Sequence, residues 1–207
     1  SDYRAKKELY ASQPKGRIRK GIGIAAALHG GGFTGAGEDK MGTTARVCFD
    51  GCRFALYVSS TEIGQGSSTV LRMAAAEELG AGMEDVVYMA PDTSKAPNTG
   101  PTVASRTTMY ASKAVRDACA NIRRKLEEWR TAEGLPANTP MTALAAGYMK
   151  EKGMPDEFGY NIFDDDSCWD EEKFEGDAYR GYAWIANVIE VEVDTDTYEV
   201  SAERVCA

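Results

Sequence analysis

Histidine occurs once in this sequence, at His29. A metal centre assembled from several imidazoles is therefore excluded within the chain. His29 follows an apolar run and precedes glycines, and reads as a side chain satisfied by backbone at a strand end. Cysteine is sparse too. Cys48, Cys52, Cys119, Cys168 and Cys206 are odd in number and irregular in spacing, which fits neither a disulfide framework, a zinc site nor an iron–sulfur motif. Cys48 and Cys52 flank Asp50-Gly51 and read as buried strand thiols, with a ligand pair as the alternative. No apolar run approaches the roughly 20 residues of a membrane-spanning helix. The opening Ser1-Asp-Tyr-Arg-Ala-Lys-Lys-Glu8 lacks a secretory hydrophobic region, so the expected compartment is the cytoplasm. Positive charge is in deficit: 24 Lys and Arg stand against 32 Asp and Glu, a net charge of −8. Nucleic acid and anionic membrane are thereby disfavoured as partners, because both need a basic surface.

What remains is 207 residues with 43% apolar and 27% charged side chains, enough to bury a core without staples. Residues 1–16 are polar and read as an N-terminal arm or short helix, and residues 17–207 as the domain proper. Ile18, Ile22 and Ile24 alternate, which predicts a strand over 17–28. The loop Gly30-Gly-Gly-Phe-Thr-Gly-Ala-Gly-Glu38 contains G-x-G-x-x-G, but the next element is a strand and no Gly-Lys-Ser/Thr follows; dinucleotide and P-loop readings are rejected. Asp50-Gly51 between two β-prone runs predicts a hairpin of strands 44–49 and 52–58. A helix is expected over about 67–80, a strand over 85–89, and a long helix from Ser105 to about Arg130 with Val115, Ala118, Ile122 and Trp129 as its apolar stripe. Thr139 is the expected cap of a further helix with Pro140 in its first position. Residues 153–178 are acidic and read as an irregular solvated insertion; Asp164-Asp-Asp166 and Asp170-Glu-Glu172 lack calcium-loop spacing. Strands at 179–193 and 198–206 close the chain, and an uncapped terminal strand leads us to expect a continuation beyond Ala207. The element order is α+β, with mixed sheets carrying helices.

Two stretches share one grammar. Thr61-Glu-Ile-Gly-Gln-Gly-Ser-Ser-Thr69 and Gly100-Pro-Thr-Val-Ala-Ser-Arg-Thr-Thr108 each put a break and then hydroxyls at the start of a helix. Unpaired N–H groups and the positive dipole end suit anionic oxygens there. Gln65, between two glycines, adds an uncharged amide. Helix capping alone also accounts for the hydroxyls. Phe33, the one large aromatic of the glycine loop, is either a plug over the core or a ligand contact.

These blocks, with Asp92-Thr93, the run from Gly21-Ile-Gly-Ile24 through Gly32-Phe-Thr-Gly-Ala-Gly37, and the Asp50-Gly51 hairpin, resemble the molybdopterin-binding part of the xanthine dehydrogenase/aldehyde oxidase family. The resemblance implies the first half of the second molybdenum-cofactor-binding domain. It implies a cofactor, in mononucleotide or cytosine dinucleotide form, whose metal is held by the pyranopterin dithiolene and not by protein side chains. Gln65 and Gly66 would lie near its metal end or pterin, Ala104 would pack at the metal through its backbone, and Ser105, Arg106, Thr107 and Thr108 would bind its phosphate or nucleotide. Phe33 and Thr34 would face the substrate. The implied reaction is hydroxylation of a purine, another N-heterocycle or an aldehyde with water as oxygen source. Iron–sulfur clusters, FAD and the remaining molybdopterin-binding domain would lie on partner domains or subunits. The family's general-base glutamate is expected beyond Ala207, so no catalytic residue is assigned here; Gly37-Glu38 stands in the wrong block to replace it. The chain alone is expected to be inactive. The alternative is a non-catalytic cofactor-binding or scaffold module of the same fold.

Overall fold

A computed structural model describes residues 1–38, 40–161 and 169–207. Helix α1 (Tyr3–Ala11) and strand β1 (Ile18–Gly30) open the chain. Strands β2 (Thr44–Phe49) and β3 (Phe54–Tyr57), helix α2 (Ser67–Leu79) and strand β4 (Val86–Tyr88) follow. A π-helical turn over Thr107–Ala111 runs directly into α3 (Ser112–Ala132), and α4 (Met141–Lys152) comes next. Then come β5 (Asp156–Tyr160), the short pair β6 (Trp169–Asp170) and β7 (Glu175–Gly176), and the long pair β8 (Tyr182–Asp194) and β9 (Val200–Cys206). The fold is α+β. Among the described residues no helix is long and apolar enough to cross a membrane.

The chain divides into two units, residues 1–29 with 181–207, and residues 30–180. The sequence reading was an arm over 1–16 followed by a domain over 17–207. The first residues are tied in by side chains of opposite charge and by strand pairing. Lys6 and Tyr10 of α1 both reach the Glu190 carboxylate, and β1 joins the sheet of order β1-β8-β9. The apolar alternation predicted these strands correctly, yet Ile18, Ile24, Trp184 and Ile185 remain exposed within this unit.

In the larger unit the sheet order is β4-β3-β2-β5. Strands β2 and β3 are antiparallel with Val47 opposite Leu56 and Phe49 opposite Phe54, while β3 and β4 run parallel. Their apolar residues meet those of α2 and α3: Val47, Phe49, Phe54 and Leu56 form one core with Leu71, Leu79, Val115, Ile122 and Leu126. Each such fully buried side chain stabilises the fold by about 1.5–3 kcal/mol. The hairpin turn is longer than two residues. The Asp50 carboxylate accepts from the N–H groups of Cys52 and Arg53 at 2.8 and 2.7 Å, so β3 starts only at Phe54. Cys48 is buried as expected, but Cys52 is in the turn and exposed.

The acidic stretch 153–178 is less irregular than its composition implies. Strand β5 lies inside it and pairs antiparallel with β2, with Ala45 opposite Gly159. Its charges are matched: Asp156 pairs with Arg46, and Glu157 with Lys125. Gly159 is required by close approach, since a Cβ there would strike the backbone of Ala114 and Ala118 in α3. Asp164, Asp165, Asp166 and Cys168 lie outside the described residues. Helix α4 begins one residue later than predicted. Thr139 does not cap it; its hydroxyl donates instead to the Pro136 carbonyl at 2.7 Å, and Pro140 occupies the cap position.

Candidate functional site

The first edge is the loop between β3 and α2. Gly64 and Gly66 have φ of 101° and 80°, left-handed values that favour glycine. They fold the loop so that Gln65 sits at its tip with its amide turned back on the chain. The Gln65 Nε2 donates to the Thr61 carbonyl at 2.9 Å and the Ser67 hydroxyl at 3.1 Å, and Oε1 accepts from the Ile63 N–H at 2.7 Å.

The hydroxyls after Gly66 do not cap α2 in the expected way. Their partner is Glu62, whose carboxylate gathers the loop. It accepts from the N–H groups of Gly64, Gly66 and Ser68, each at 2.9 Å, and from the hydroxyls of Ser68 at 3.0 Å and Ser67 at 3.3 Å. The backbone N–H groups of Ser68 and then Gly66 pull the Glu62 carboxyl down to about 2, because they stabilise its charged form.

The second edge runs through residues 102–108. Ala104 and Ser105 have φ of 52° and 54°, two successive left-handed residues without glycine's freedom. Each such conformation costs on the order of 1–2 kcal/mol and persists only where the surroundings enforce it. Here the Gly32 N–H donates to the Ala104 carbonyl at 2.7 Å, and the Arg106 N–H to the Val103 carbonyl at 3.1 Å. The helical run then opens with the π turn, whose first N–H groups have no intrahelical acceptor.

The two edges are stitched together. The Thr61 N–H donates to the Thr102 hydroxyl at 2.8 Å. Ser59 and Thr99 exchange hydrogen bonds between backbone N–H and side-chain oxygen in both directions, at 2.9 and 2.8 Å. Between the edges lies a cleft of about 370 Å³. Ile63, Gln65 and Ser67 line one side, and Thr102, Val103, Ala104, Ser105, Thr107 and Thr108 the other. Both stretches singled out in the sequence thus converge on one space. Among the described residues no carboxylate, thiol or imidazole lines it. Hydroxyls, the Gln65 amide and helix-start N–H groups make it a cleft for an uncharged or anionic, oxygen-rich ligand.

Four of the expected site residues are not on this lining. Gly66 is the residue that precedes α2, behind the tip. Arg106 is no phosphate ligand in this arrangement, because its guanidinium turns inward and is 1% exposed. It meets Glu38 at 3.0 Å, donates to the carbonyls of Thr99 and Pro101 at 2.9 and 3.2 Å, and reaches the Thr43 hydroxyl at 2.7 Å. Phe33 and Thr34 belong to the glycine loop, where the Phe33 N–H donates to Glu38 at 3.1 Å and the Thr34 hydroxyl shares a 2.8 Å hydrogen bond with Tyr179. That loop is nevertheless fastened to the second edge twice, through Gly32–Ala104 and Glu38–Arg106.

Glu62, Glu38 and Thr102 were missed. Glu62 carried a signal: a carboxylate shortly before a helix start can reach the orphan N–H groups. Glu38 carried none that is local.

Residues 1–207 match the family described as the molybdopterin cofactor-binding domain. The xanthine dehydrogenase of Emericella nidulans is 27% identical over 179 residues, covering 86% of this chain but only 13% of that protein. The xanthine dehydrogenase of Dictyostelium discoideum is 33% identical over 112 residues, 54% of this chain and 8% of that protein. Among solved structures, the aldehyde oxidoreductase of Desulfovibrio desulfuricans shares the fold with a TM-score of 0.75 at 24% identity, covering 99% of this chain and 21% of its own. The CO dehydrogenase of Oligotropha carboxidovorans does so with a TM-score of 0.71 at 20% identity, covering 99% of this chain and 27% of its own.

Proposed function

The chain belongs to the molybdopterin cofactor-binding domains of the xanthine dehydrogenase/aldehyde oxidoreductase family, and from that premise we propose that the cleft between residues 63–67 and 102–108 holds the polar end of a molybdopterin cofactor in a molybdenum hydroxylase. The observation that carries the reading is the convergence of Gln65 and Ser67 with Ala104, Ser105, Thr107 and Thr108 on one cleft. Its donor set fits the group: a phosphate or pterin edge needs hydroxyls and N–H groups, and these are what line it. When bound, the cofactor supplies the redox chemistry that oxidises a purine, another N-heterocycle or an aldehyde with water as oxygen source.

The chain's own residues bind and orient. Ser105, Thr107 and Thr108 donate to the ligand's oxygens. Ala104 gives close backbone approach with a single methyl group. Gln65 is held rigid by three hydrogen bonds and presents one remaining acceptor lone pair at Oε1. Phe33 and Thr34, on the loop fastened to Ala104, border the substrate. Arg106 acts from behind, fixing the second edge. A general base, iron–sulfur clusters and FAD come from other domains or subunits.

The test uses the intact protein that carries this domain. Thr107→Val together with Thr108→Val is expected to lower both bound molybdenum and releasable pterin at least fivefold, with the circular dichroism unchanged. Full occupancy in that variant overturns the reading. Gln65→Ala is expected to lower occupancy or turnover, and Phe33→Ala to weaken substrate affinity.

A further inference from the structure

We propose that Trp169 is a positioning residue that determines substrate specificity: from the β6–β7 hairpin it seats the glycine loop at Gly35 and so sets where Phe33 and Thr34 stand against a substrate. That Phe33 and Thr34 border a substrate rests on the function proposed above; the seating of the loop does not.

The loop over residues 30–38 has two sets of fastenings. One runs to the second edge of the cleft, through Gly32–Ala104 and Glu38–Arg106. The other runs to residues 169–179. The Gly35 N–H donates to the Ala178 carbonyl at 2.8 Å, and the Thr34 hydroxyl shares its hydrogen bond with Tyr179. Gly30 lies against the Tyr179 ring, which a Cβ there would strike. Gly35 lies against the Trp169 indole in the same way. A Cβ on Gly35 would strike Cδ1 and stand 2.6 Å from Nε1, so backbone and indole meet at a distance that only glycine allows. Phe33 and Thr34 are the two residues between the fastenings at Gly32 and Gly35, and both ends therefore fix them. Neither Gly35 nor Trp169 lines the cofactor cleft. A change at this contact can thus shift the substrate side and leave the holding of the cofactor alone.

The indole is held for its shape. Its Nε1 is buried and meets no hydrogen-bond partner among the described residues, a cost that hydrogen bonding does not recover. The rest of the side chain is fixed by the hairpin. Phe174 meets the indole edge-on with ring centroids 6.2 Å apart, and Trp169 pairs with Gly176 across the strands. Asp170 closes the turn by accepting from the N–H groups of Glu172 and Lys173, both at 3.0 Å. A flat ring on a closed hairpin, pressed on a glycine, works as a spacer whose size sets the distance from hairpin to loop. A substrate with a ring should sense this most, because it packs on the Phe33 ring.

The experiment uses the intact protein that carries this domain, as wild type, Trp169→Ala, Trp169→Phe, Gly35→Ala and the double variant Gly35→Ala with Trp169→Ala. Hydrogen exchange read by mass spectrometry reports on the loop without need of activity. Peptides covering 30–38 are expected to exchange at least tenfold faster in Trp169→Ala and in Gly35→Ala, with those of β2, β3 and α3 unchanged. The double variant should exchange no faster than either single one, because both changes break the same contact. Kinetics are measured with xanthine, quinoline, benzaldehyde and acetaldehyde. In Trp169→Ala, KM is expected to rise at least fivefold for the ring compounds and less than twofold for acetaldehyde, with kcat and bound molybdenum within twofold of the wild type. Trp169→Phe keeps a ring against Gly35 and discards the unmet donor, so it should hold the loop, keep KM within threefold and lose no Tm. Unchanged exchange over 30–38 in Trp169→Ala, or additive effects in the double variant, overturns the proposal. So does a loosened loop with every measurable KM unmoved. Trp169→Leu serves under the same criteria if the alanine variant does not fold. If the loop loosens but the wild type oxidises none of the four compounds, the function proposed above fails while the seating of the loop by Trp169 stands.

Discussion

The Arg106 guanidinium and the Glu38 carboxylate meet at 3.0 Å with only 1% and 2% of their side chains exposed. Their positions are 68 residues apart in sequence, so the pair clasps the glycine loop to the start of the long helix. A buried pair contributes little net stability over an apolar substitute, but removing one partner leaves an uncompensated charge.

Arg106→Met is therefore expected to destabilise the protein by about 3–5 kcal/mol. Combining it with Glu38→Leu should recover part of that loss, since no charge then remains buried. Urea unfolding of both single variants and the double variant checks this; strictly additive losses would show that the two residues do not act as a pair.

Ala104 tests the strained edge. Ala104→Gly relieves a left-handed backbone at the expense of added freedom in the unfolded chain, so it should fall within about 1 kcal/mol of the wild type. Ala104→Val should lower Tm clearly, because a β-branched residue tolerates positive φ poorly. Equal Tm values for the valine variant and the wild type would mean that the strain is not held in solution.

Gly159→Ala places a methyl group against the backbone of Ala114 and Ala118, where no flexible side chain can give way. Strand β5 would have to move off α3, at a cost of about 1–3 kcal/mol or more. A lowered urea midpoint with an unchanged slope is the expected result; an unshifted midpoint would contradict the contact.

How much of this was legible beforehand depends on how local the signal was. The hairpin around Asp50-Gly51 and the helix after Gly66 are written in adjacent residues, and both were read correctly from them. The shared cleft was legible too, because each edge repeats the same pattern of break and hydroxyls. Arg106 was expected at a phosphate because a guanidinium among hydroxyls at a helix start has the look of a phosphate ligand, whereas its side chain lies buried against Glu38. Its true partner lies in a distant loop, and an ion pair of that span leaves no periodicity. Strand β5 was hidden by its charges, which Arg46 and Lys125 neutralise only after folding.

Glu62 gives a pH dependence of definite sign. Its folded pKa, about 2, lies below the ordinary glutamate value of about 4.3. The stabilisation is thus fully present above the unfolded value and is lost as pH falls through the folded one. Tm of the wild type should drop more steeply between about pH 5 and pH 2 than Tm of Glu62→Gln, which has nothing to titrate at that position. Parallel curves would show that the carboxylate is not held by the loop.

The π turn over Thr107–Ala111 has a bearing on how the cleft keeps its shape. A wide turn accommodates one more residue than an α-helical turn, and each residue advances an α-helix by about 100°. Were the turn to tighten, everything downstream would rotate by that angle, and Ala114, Val115, Ala118 and Ile122, all fully buried, would swing off the core. The packing of α3 thus works as a torsional latch. Thr107 and Thr108 keep their orientation because the hydrophobic stripe several turns away will not let the helix relax.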